Sequence, residues 1–227
     1  MLKKSSRRII QESKHLGWVM EPQAKALMKS EGFAVPDNVL TSSFETADQF
    51  MKNSASAVAA KAVSKKIMHK TELRAVVTDI SSSSHLKNEM ARLQKLDGCE
   101  NILVEEMVEG IEIIIGAKND FQFGPVVVFG MGGTSVEVYN DIAIRMAPLR
   151  DNDVLSMVES LKAKRILLGH RGKHGVNVET LTRTIVDFSL LIMALKDDME
   201  SIDLNPVICT KDQCIIADAR IILQKRE

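Results

Sequence analysis

Lys61-Ala-Val-Ser-Lys-Lys-Ile-Met-His-Lys-Thr-Glu72 decides how the rest of the chain is read. An apolar strand over residues 56–63 is ending where Lys61 stands, and eight residues on His69 sits among Lys66, Lys70 and Glu72. A lysine there needs an anionic partner if its side chain is buried. Lys61 therefore reads either as a phosphate contact or as an edge lysine reaching solvent. A neutral imidazole nitrogen can attack phosphorus, and the phosphoimidazole can pass its group on. Glu72 would orient the ring, and Lys66 and Lys70 would neutralise phosphoryl oxygens. The alternative for His69 is an exposed loop histidine with no chemistry.

Working outward, residues 1–12 read as a poorly ordered tail. Glu21-Pro22 opens a helix with proline in its first turn, and Gly32 ends it. Residues 34–40 make a short strand and turn. Ser42-x-x-Glu45 is a capping box for a helix running to Asn53. A strand over 76–80 leads to a serine loop, whose last residue, Ser84, caps a helix with Leu86, Met90, Leu93 and Leu96 at helical spacing. Strands then cluster at 101–108, 112–118, 126–129 and 142–148, punctuated by Gly110 and Gly124-Pro125. Asp151 and Asn177 are N-cap candidates. The helix after Asn177 carries Leu181, Ile185, Phe188, Ile192 and Leu195 on one stripe. Strands at 199–204, 207–210 and 213–217 close the chain, with Lys211-Asp212 as the last turn. Alternation followed by clustered strands predicts an α+β (mixed α/β) fold in two lobes.

Several residues could carry chemistry. Glu105 and Glu106 follow the apolar run Ile102-Leu-Val104, and Glu112 and Glu137 lie further along the sheet. A nucleotide site needs carboxylates for ribose, and magnesium needs oxygen ligands, although acidic strand ends are also common as solvated edges. Phe129-Gly-Met-Gly-Gly-Thr134 lets backbone N–H groups approach an anion or is a plain hairpin turn. It lacks the Gly-Lys-Ser/Thr ending of a Walker A loop. Asp203-Leu-Asn205-Pro206, joined by Asp218 on the returning strand, forms a hard-oxygen set suited to Mg²⁺ with phosphate oxygens, or an Asx-capped turn.

Composition narrows the class. An apolar content of 45% over 227 residues supports a real core. Lys plus Arg and Asp plus Glu are both 30, without the basic excess expected of a nucleic-acid binder. No apolar run approaches the ~20 residues that span a bilayer, and the basic N-terminus lacks a signal-peptide core. One Trp and one Tyr speak against base-stacking platforms. Cys99, Cys209 and Cys214 are read as reduced thiols of a cytoplasmic protein; the alternative is a disulfide between Cys209 and Cys214, should they lie on neighbouring strands of one hairpin.

Taken in order, these pieces resemble the ATP-grasp (beta) subunit of ADP-forming acyl-CoA synthetases, the acetate–CoA ligases (ADP-forming). The motifs are Glu21-Pro-x-Ala-Lys25, Gly32-x-x-Val35-Pro36, His69-Lys-Thr-Glu72, Val104-Glu-Glu-Met-Val108, Phe123-Gly-Pro-Val-Val-Val-Phe-Gly-Met-Gly-Gly133, Arg145-x-Ala-Pro148, Gly169-x-Arg171-Gly172, and Asp203-x-Asn205-Pro206 with Asp218-Ala-Arg220. The resemblance implies an ATP-grasp fold, with a lobe over 13–104 and another over 105–227 clasping a nucleotide. It implies a ligase reaction, acyl-CoA + ADP + phosphate = acid + CoA + ATP, with ATP or ADP and Mg²⁺ bound here. It also implies a CoA-binding alpha subunit as partner, in an α2β2-type oligomer. His69 would carry the phosphoryl group and Glu72 would assist it. Lys61 would contact phosphates, and Glu105, Glu106, Met107 and Val108 would form the hinge beside adenine and ribose. Glu112, Gly132 and Gly133 would also bind the nucleotide. Asp203, Asn205 and Asp218 would hold Mg²⁺.

One departure stands out. The family follows its histidine motif with a Gly-Gly-Val turn, whereas this chain has Leu73-Arg74-Ala75-Val76. The change admits a second reading, a nucleotide-binding regulatory relative without turnover. A third is a stand-alone ATP-grasp carboxylate ligase that needs no histidine.

Overall fold

A computed structural model of the chain describes residues 2–66, 74–133, 141–170 and 173–224. The first elements are α1 (Lys4–Ser13), β1 (Trp18–Val19), α2 (Glu21–Ser30), β2 (Asn38–Thr41), α3 (Phe44–Asn53), β3 (Val58–Ser64) and β4 (Val76–Ile80). Next come α4 (Ser83–Leu93), β5 (Cys99–Glu106), β6 (Ile111–Asp120), β7 (Gly124–Met131) and β8 (Ile142–Met146). The chain continues through α5 (Asp151–Ser160), α6 (Lys164–Leu168), β9 (Gly169–His170), β10 (Lys173–His174) and α7 (Val178–Leu195). It closes with β11 (Met199–Cys209), β12 (Cys214–Ile216) and β13 (Arg220–Leu223). No helix among the described residues is long and apolar enough to cross a membrane.

Two compact units result: Pro36–Val108, and Met1–Val35 together with Glu109–Glu227. In Pro36–Val108 the antiparallel strands stand in the order β2-β5-β3-β4. Strand residues alternate between faces, so Val58, Ala60 and Ala62 of β3 share one face with Ile102 and Val104 of β5. That face packs on Ala47 and Met51 of α3 and on Leu86, Met90 and Leu93 of α4. The caps fall beside the expected positions. Ser43 Oγ accepts the Thr46 N–H and Ser82 Oγ accepts the His85 N–H, because the capping hydroxyl must sit three residues before the amide it serves.

The larger unit is built on an antiparallel sheet of order β1-β13-β11-β6-β7-β8, with β12 also paired to β11. One face carries Ile113, Ile115, Val127, Phe129, Ile202 and Ile221, packed with Leu27 and Met28 of α2, Val154 and Met157 of α5, and Ile185 and Phe188 of α7. The other face carries Glu112, Ile114, Gly116, Val128, Ile144, Asp203 and Arg220, placed by register. Asn177 caps α7 as expected, its Oδ1 accepting the Thr180 N–H. The expected Asp151 cap is displaced by one: Arg150 occupies that position, and its N–H donates to Asp153 Oδ2.

The domain reading needs correction. The expected tail over 1–12 is largely helix α1, which buries Ser6 and Ile10 and is tied down by Glu31, which accepts from Lys3 N and Ser6 Oγ. Residues 13–35 do not join the lobe 13–104. Trp18 and Val19 pair with Ile222 and Ile221, and Ala34 bridges Ile215, so the start of the chain completes the sheet that its end builds. Residues 105–108 stay with Pro36–Val108, because Glu105 pairs with Asn38 and with Ala59. The two strands expected at 199–204 and 207–210 are one strand, β11, with a register shift between Leu204 and Val207.

The thiol reading also changes. Cys209 and Cys214 are register partners on β11 and β12, with Cα atoms 4.2 Å apart, and form a disulfide; Cys99 is free. Alkylation of the unfolded, unreduced protein followed by mass spectrometry is expected to label Cys99 alone. Three labelled cysteines would show that the pair stays reduced.

Candidate functional site

The site residues fall into two sets, one in each unit. In Pro36–Val108, Lys61 lies on β3 on the face turned away from α3 and α4, since its neighbours Ala60 and Ala62 face those helices. Its Nζ stands 2.5 Å from Glu105 Oε1, and the two residues are only 6% and 3% exposed. A solvated edge lysine is therefore excluded. The register explains the pair: Lys61 opposes Leu103 and Ala59 opposes Glu105, so Lys61 and Glu105 are diagonal neighbours on one face.

The hinge expected over Glu105–Val108 is already partly engaged. Glu105 is buried against Lys61 rather than open to a ribose. The Glu106 N–H donates to Asp37 O, the Met107 N–H to Ala57 O, and Met107 O accepts from Ser56 Oγ at 2.9 Å. Glu106, Met107 and Val108 are half-buried. The side chain of Glu106 and the second lone pair of Met107 O are among the groups this segment can offer a ligand.

In the larger unit, Glu112 is exposed on the sheet face that also carries Asp203. The Gly132 N–H donates to Glu112 O at 2.8 Å. A Cβ at Gly132 would fall 2.8 Å from Glu112 C, and one at Gly133, whose φ is +66°, would fall 3.2 Å from Glu112 Oε2. These two glycines are needed for their close seat on Glu112, a contact that the reading of the glycine turn as a phosphate cradle did not contain.

Asp203 and Asn205 flank Leu204 on β11, at the register shift that precedes Val207. The irregularity leaves Asn205 exposed and turns Pro206 O toward the Ala217 and Asp218 N–H groups, at 3.0 and 3.4 Å. Those bonds carry Asp218 to the same end of the strand pair. Gly116 opposes Asp203 on β6, so no side chain covers it from that strand. On the other side Arg220 Nη2 lies 3.3 Å from Asp203 Oδ2, a partner that sequence reading missed although it belongs to the Asp218-Ala-Arg220 motif.

Partial burial holds the Asp203 carboxyl above the usual carboxylate range; Arg220 opposes this, and the charge of Asp218 adds to it. Among the described residues no three His, Cys, Asp or Glu side chains gather as a metal cage. Two carboxylates and an amide oxygen could serve instead as a sparse hard-oxygen set of the kind Mg²⁺ uses when phosphate and water complete its shell. Because the folded carboxyl titrates above its unfolded value, ionisation favours the unfolded chain. This penalty is absent below the unfolded value and complete above the folded one. Asp203→Asn is therefore expected to raise the urea midpoint of the metal-free protein at neutral pH and to leave it unchanged in strong acid. Equal shifts at both pH values would contradict the burial effect.

His69 and Glu72 lie outside the described residues, as does Glu137. The residue in place of the glycine turn is described: Arg74 has φ +48°, and its carbonyl accepts from Arg92 Nη1 at 2.9 Å. The backbone there keeps a conformation suited to glycine while carrying a long side chain.

The ATP-grasp domain family matches residues 11–223. The beta subunit of ADP-forming acetate–CoA ligase I from Pyrococcus furiosus is 35% identical over 213 residues, which are 90% of this chain and 91% of that one. In ADP-forming acetate–CoA ligase II of Archaeoglobus fulgidus, 29% identical, 92% of this chain matches 31% of a longer protein. Solved structures of the dinucleotide-forming acetyl-coenzyme A synthetase 1 of Ca. Korarchaeum cryptofilum cover 96% of this chain and 100% of theirs. One, with coenzyme A and Ca-AMPCP, has a TM-score of 0.88 at 32% identity. Another, with coenzyme A and Mg-AMPPCP, has a TM-score of 0.82 at 31% identity, and its phosphohistidine segment points towards the nucleotide binding site.

Proposed function

The chain belongs to the ATP-grasp subunits of ADP-forming acid–CoA ligases, and from that premise we propose that it binds ADP or ATP with Mg²⁺ and relays a phosphoryl group through His69. The reaction served is acyl-CoA + ADP + phosphate = acid + CoA + ATP. A CoA-binding partner subunit, in an α2β2-type assembly, would form the acyl phosphate and load His69.

The observation that supports this reading is that Asp203 and Asn205 stand at the register shift of β11, where Pro206 O accepts the Ala217 and Asp218 N–H groups. Asp203, Asn205 and Asp218 would hold Mg²⁺, which when bound neutralises phosphate charge. The Lys61 ammonium would meet the nucleotide phosphates, and Glu105 holds it in place. Glu106, Met107 and Val108 would border adenine and ribose, and Glu112, seated on Gly132 and Gly133, would take a hydroxyl. A terminal oxygen of ADP attacks the phosphorus on His69, the N–P bond breaks, and the imidazole leaves with its lone pair. Glu72 would orient the ring for both transfers.

The test uses the assembled enzyme with γ-labelled ATP. Label that is acid-labile and base-stable at His69, and lost in His69→Ala, is the expected result. One observation favours the regulatory reading: Arg74, at φ +48°, stands where the family has a glycine turn. Tight ADP binding with no label at His69 would establish that reading. Label-free turnover that survives His69→Ala would establish a stand-alone carboxylate ligase.

A further inference from the structure

The β6–β7 hairpin ends in Asp120-Phe-Gln-Phe-Gly124, and its two phenylalanines are 91% and 62% exposed. The tip is braced from within. Asp120 Oδ1 accepts the Gln122 N–H at 2.8 Å and the Phe123 N–H at 3.0 Å, and Gly124 takes φ +70°. An aromatic ring left in water on a well-formed turn gains nothing for the fold, since burial is what stabilises it.

The apolar surface continues from the tip. Met146 opposes Val126, Ile144 opposes Val128 and Ile142 opposes Gly130, while the Ala147 N–H donates to Pro125 O. Alternation puts Ile142, Ile144 and Met146 on one face of β8, and they are 40%, 51% and 61% exposed. Arg145 turns to the other face, where its guanidinium donates to Ser156 Oγ, so it does not guard the stripe. β8 is the last strand of its sheet, and no Lys or Pro lies within it to blunt pairing at its edge. Five of the ten large exposed apolar side chains among the described residues thus lie along one margin of the sheet, the concentration that marks an interaction surface.

We propose that this margin, with Phe121 and Phe123 as anchors and the β8 edge beside them, docks the CoA-binding partner subunit through an apolar cleft on that subunit. The proposal rests on the functional reading above, which requires such a partner. The region occurs as a separate beta subunit in the Pyrococcus furiosus relative and as about a third of a longer chain in the Archaeoglobus fulgidus one. A module used both ways needs one face that meets the remainder of the enzyme in either arrangement. A second copy pairing edge to edge about Ile144 would engage residues 142–146 and leave the aromatic tip beyond the end of the contact.

The test mixes this chain with the CoA-binding subunit of the same ligase and measures assembly by sedimentation, with Mg·ADP binding as a check on the fold. Phe121→Asp with Phe123→Asp is expected to weaken assembly at least about a hundredfold and to leave Mg·ADP binding by the isolated chain unchanged. Met146→Glu should weaken assembly in the same direction. Leu190→Asp, at a side chain equally open on α7 (53% exposed), should not. Undiminished assembly of the double variant would overturn the docking surface alone. So would a homodimer that the double substitution abolishes while the partner still binds, or an equal loss in the Leu190 variant. A wild-type chain that binds Mg·ADP yet never joins the CoA-binding subunit would overturn the functional reading, and this proposal with it.

Discussion

Lys61→Met is expected to slow phosphoryl transfer by roughly 10²–10³-fold, the loss typical of removing one charge-stabilising donor from a water-excluded site. Methionine keeps the length and the apolar stem of lysine and removes the ammonium that stands 2.5 Å from Glu105 Oε1. The same change leaves a carboxylate buried without that cation, at a cost of roughly 3–5 kcal/mol. The two losses separate in the double variant Lys61→Met, Glu105→Gln. Neutralising the carboxylate removes most of the penalty to folding and restores none of the transfer rate. Single-turnover transfer from labelled ATP to His69, set beside urea melts of the same proteins, measures both. A double variant that regains its rate along with its stability would reduce Lys61 to a structural counter-ion.

Lys25→Ala is expected to be the most damaging single change to stability outside the site. Glu21 and Lys25 stand one turn apart on α2, Nζ to Oε1 3.1 Å, with both side chains 2% exposed. Their surroundings are the packed residues Val19, Ala24, Leu27 and Met28. Breaking a buried pair from one side leaves a charge in a medium that cannot solvate it, at a cost of roughly 3–5 kcal/mol. For a chain of this size that is a fall in Tm of about 10 °C. Glu21→Gln combined with Lys25→Met should lose much less, because exchanging both members of a buried pair for uncharged groups is often close to neutral. An unchanged melting temperature in Lys25→Ala would mean that water reaches Glu21 when the lysine is removed.

The fold class and most elements were legible because their signals are local. The stripe Leu181, Ile185, Phe188, Ile192 and Leu195 needed only the helical period, and these side chains are all buried in α7. Asn177 announced its helix by position alone. The motif order in Val104–Val108, in Phe123–Gly133 and around Asp203 and Asp218 was enough to place the chain in its family, which the ATP-grasp match over residues 11–223 bears out. The misreadings are of another kind. Ser6 and Ser13 on the buried side of α1 disguised a packed helix as a polar tail. Cys209 and Cys214 were weighted as thiols by the odd, low cysteine count, and only the register Cys209↔Cys214 decided for the disulfide that the hairpin had left open.

From the linear chain alone came the ATP-grasp family, the strand clusters and the candidates for phosphate and metal contact, since each depends on neighbours a few positions away. Tertiary structure alone decided that Glu105 is buried on Lys61, that Gly132 and Gly133 seat Glu112, that Arg220 holds Asp203, and that residues 13–35 complete the sheet of the C-terminal half. Those outcomes turn on which strands become neighbours. Pairing between Val19 and Ile221 is chosen by the burial of a whole core, a sum over distant residues that no short window of sequence contains.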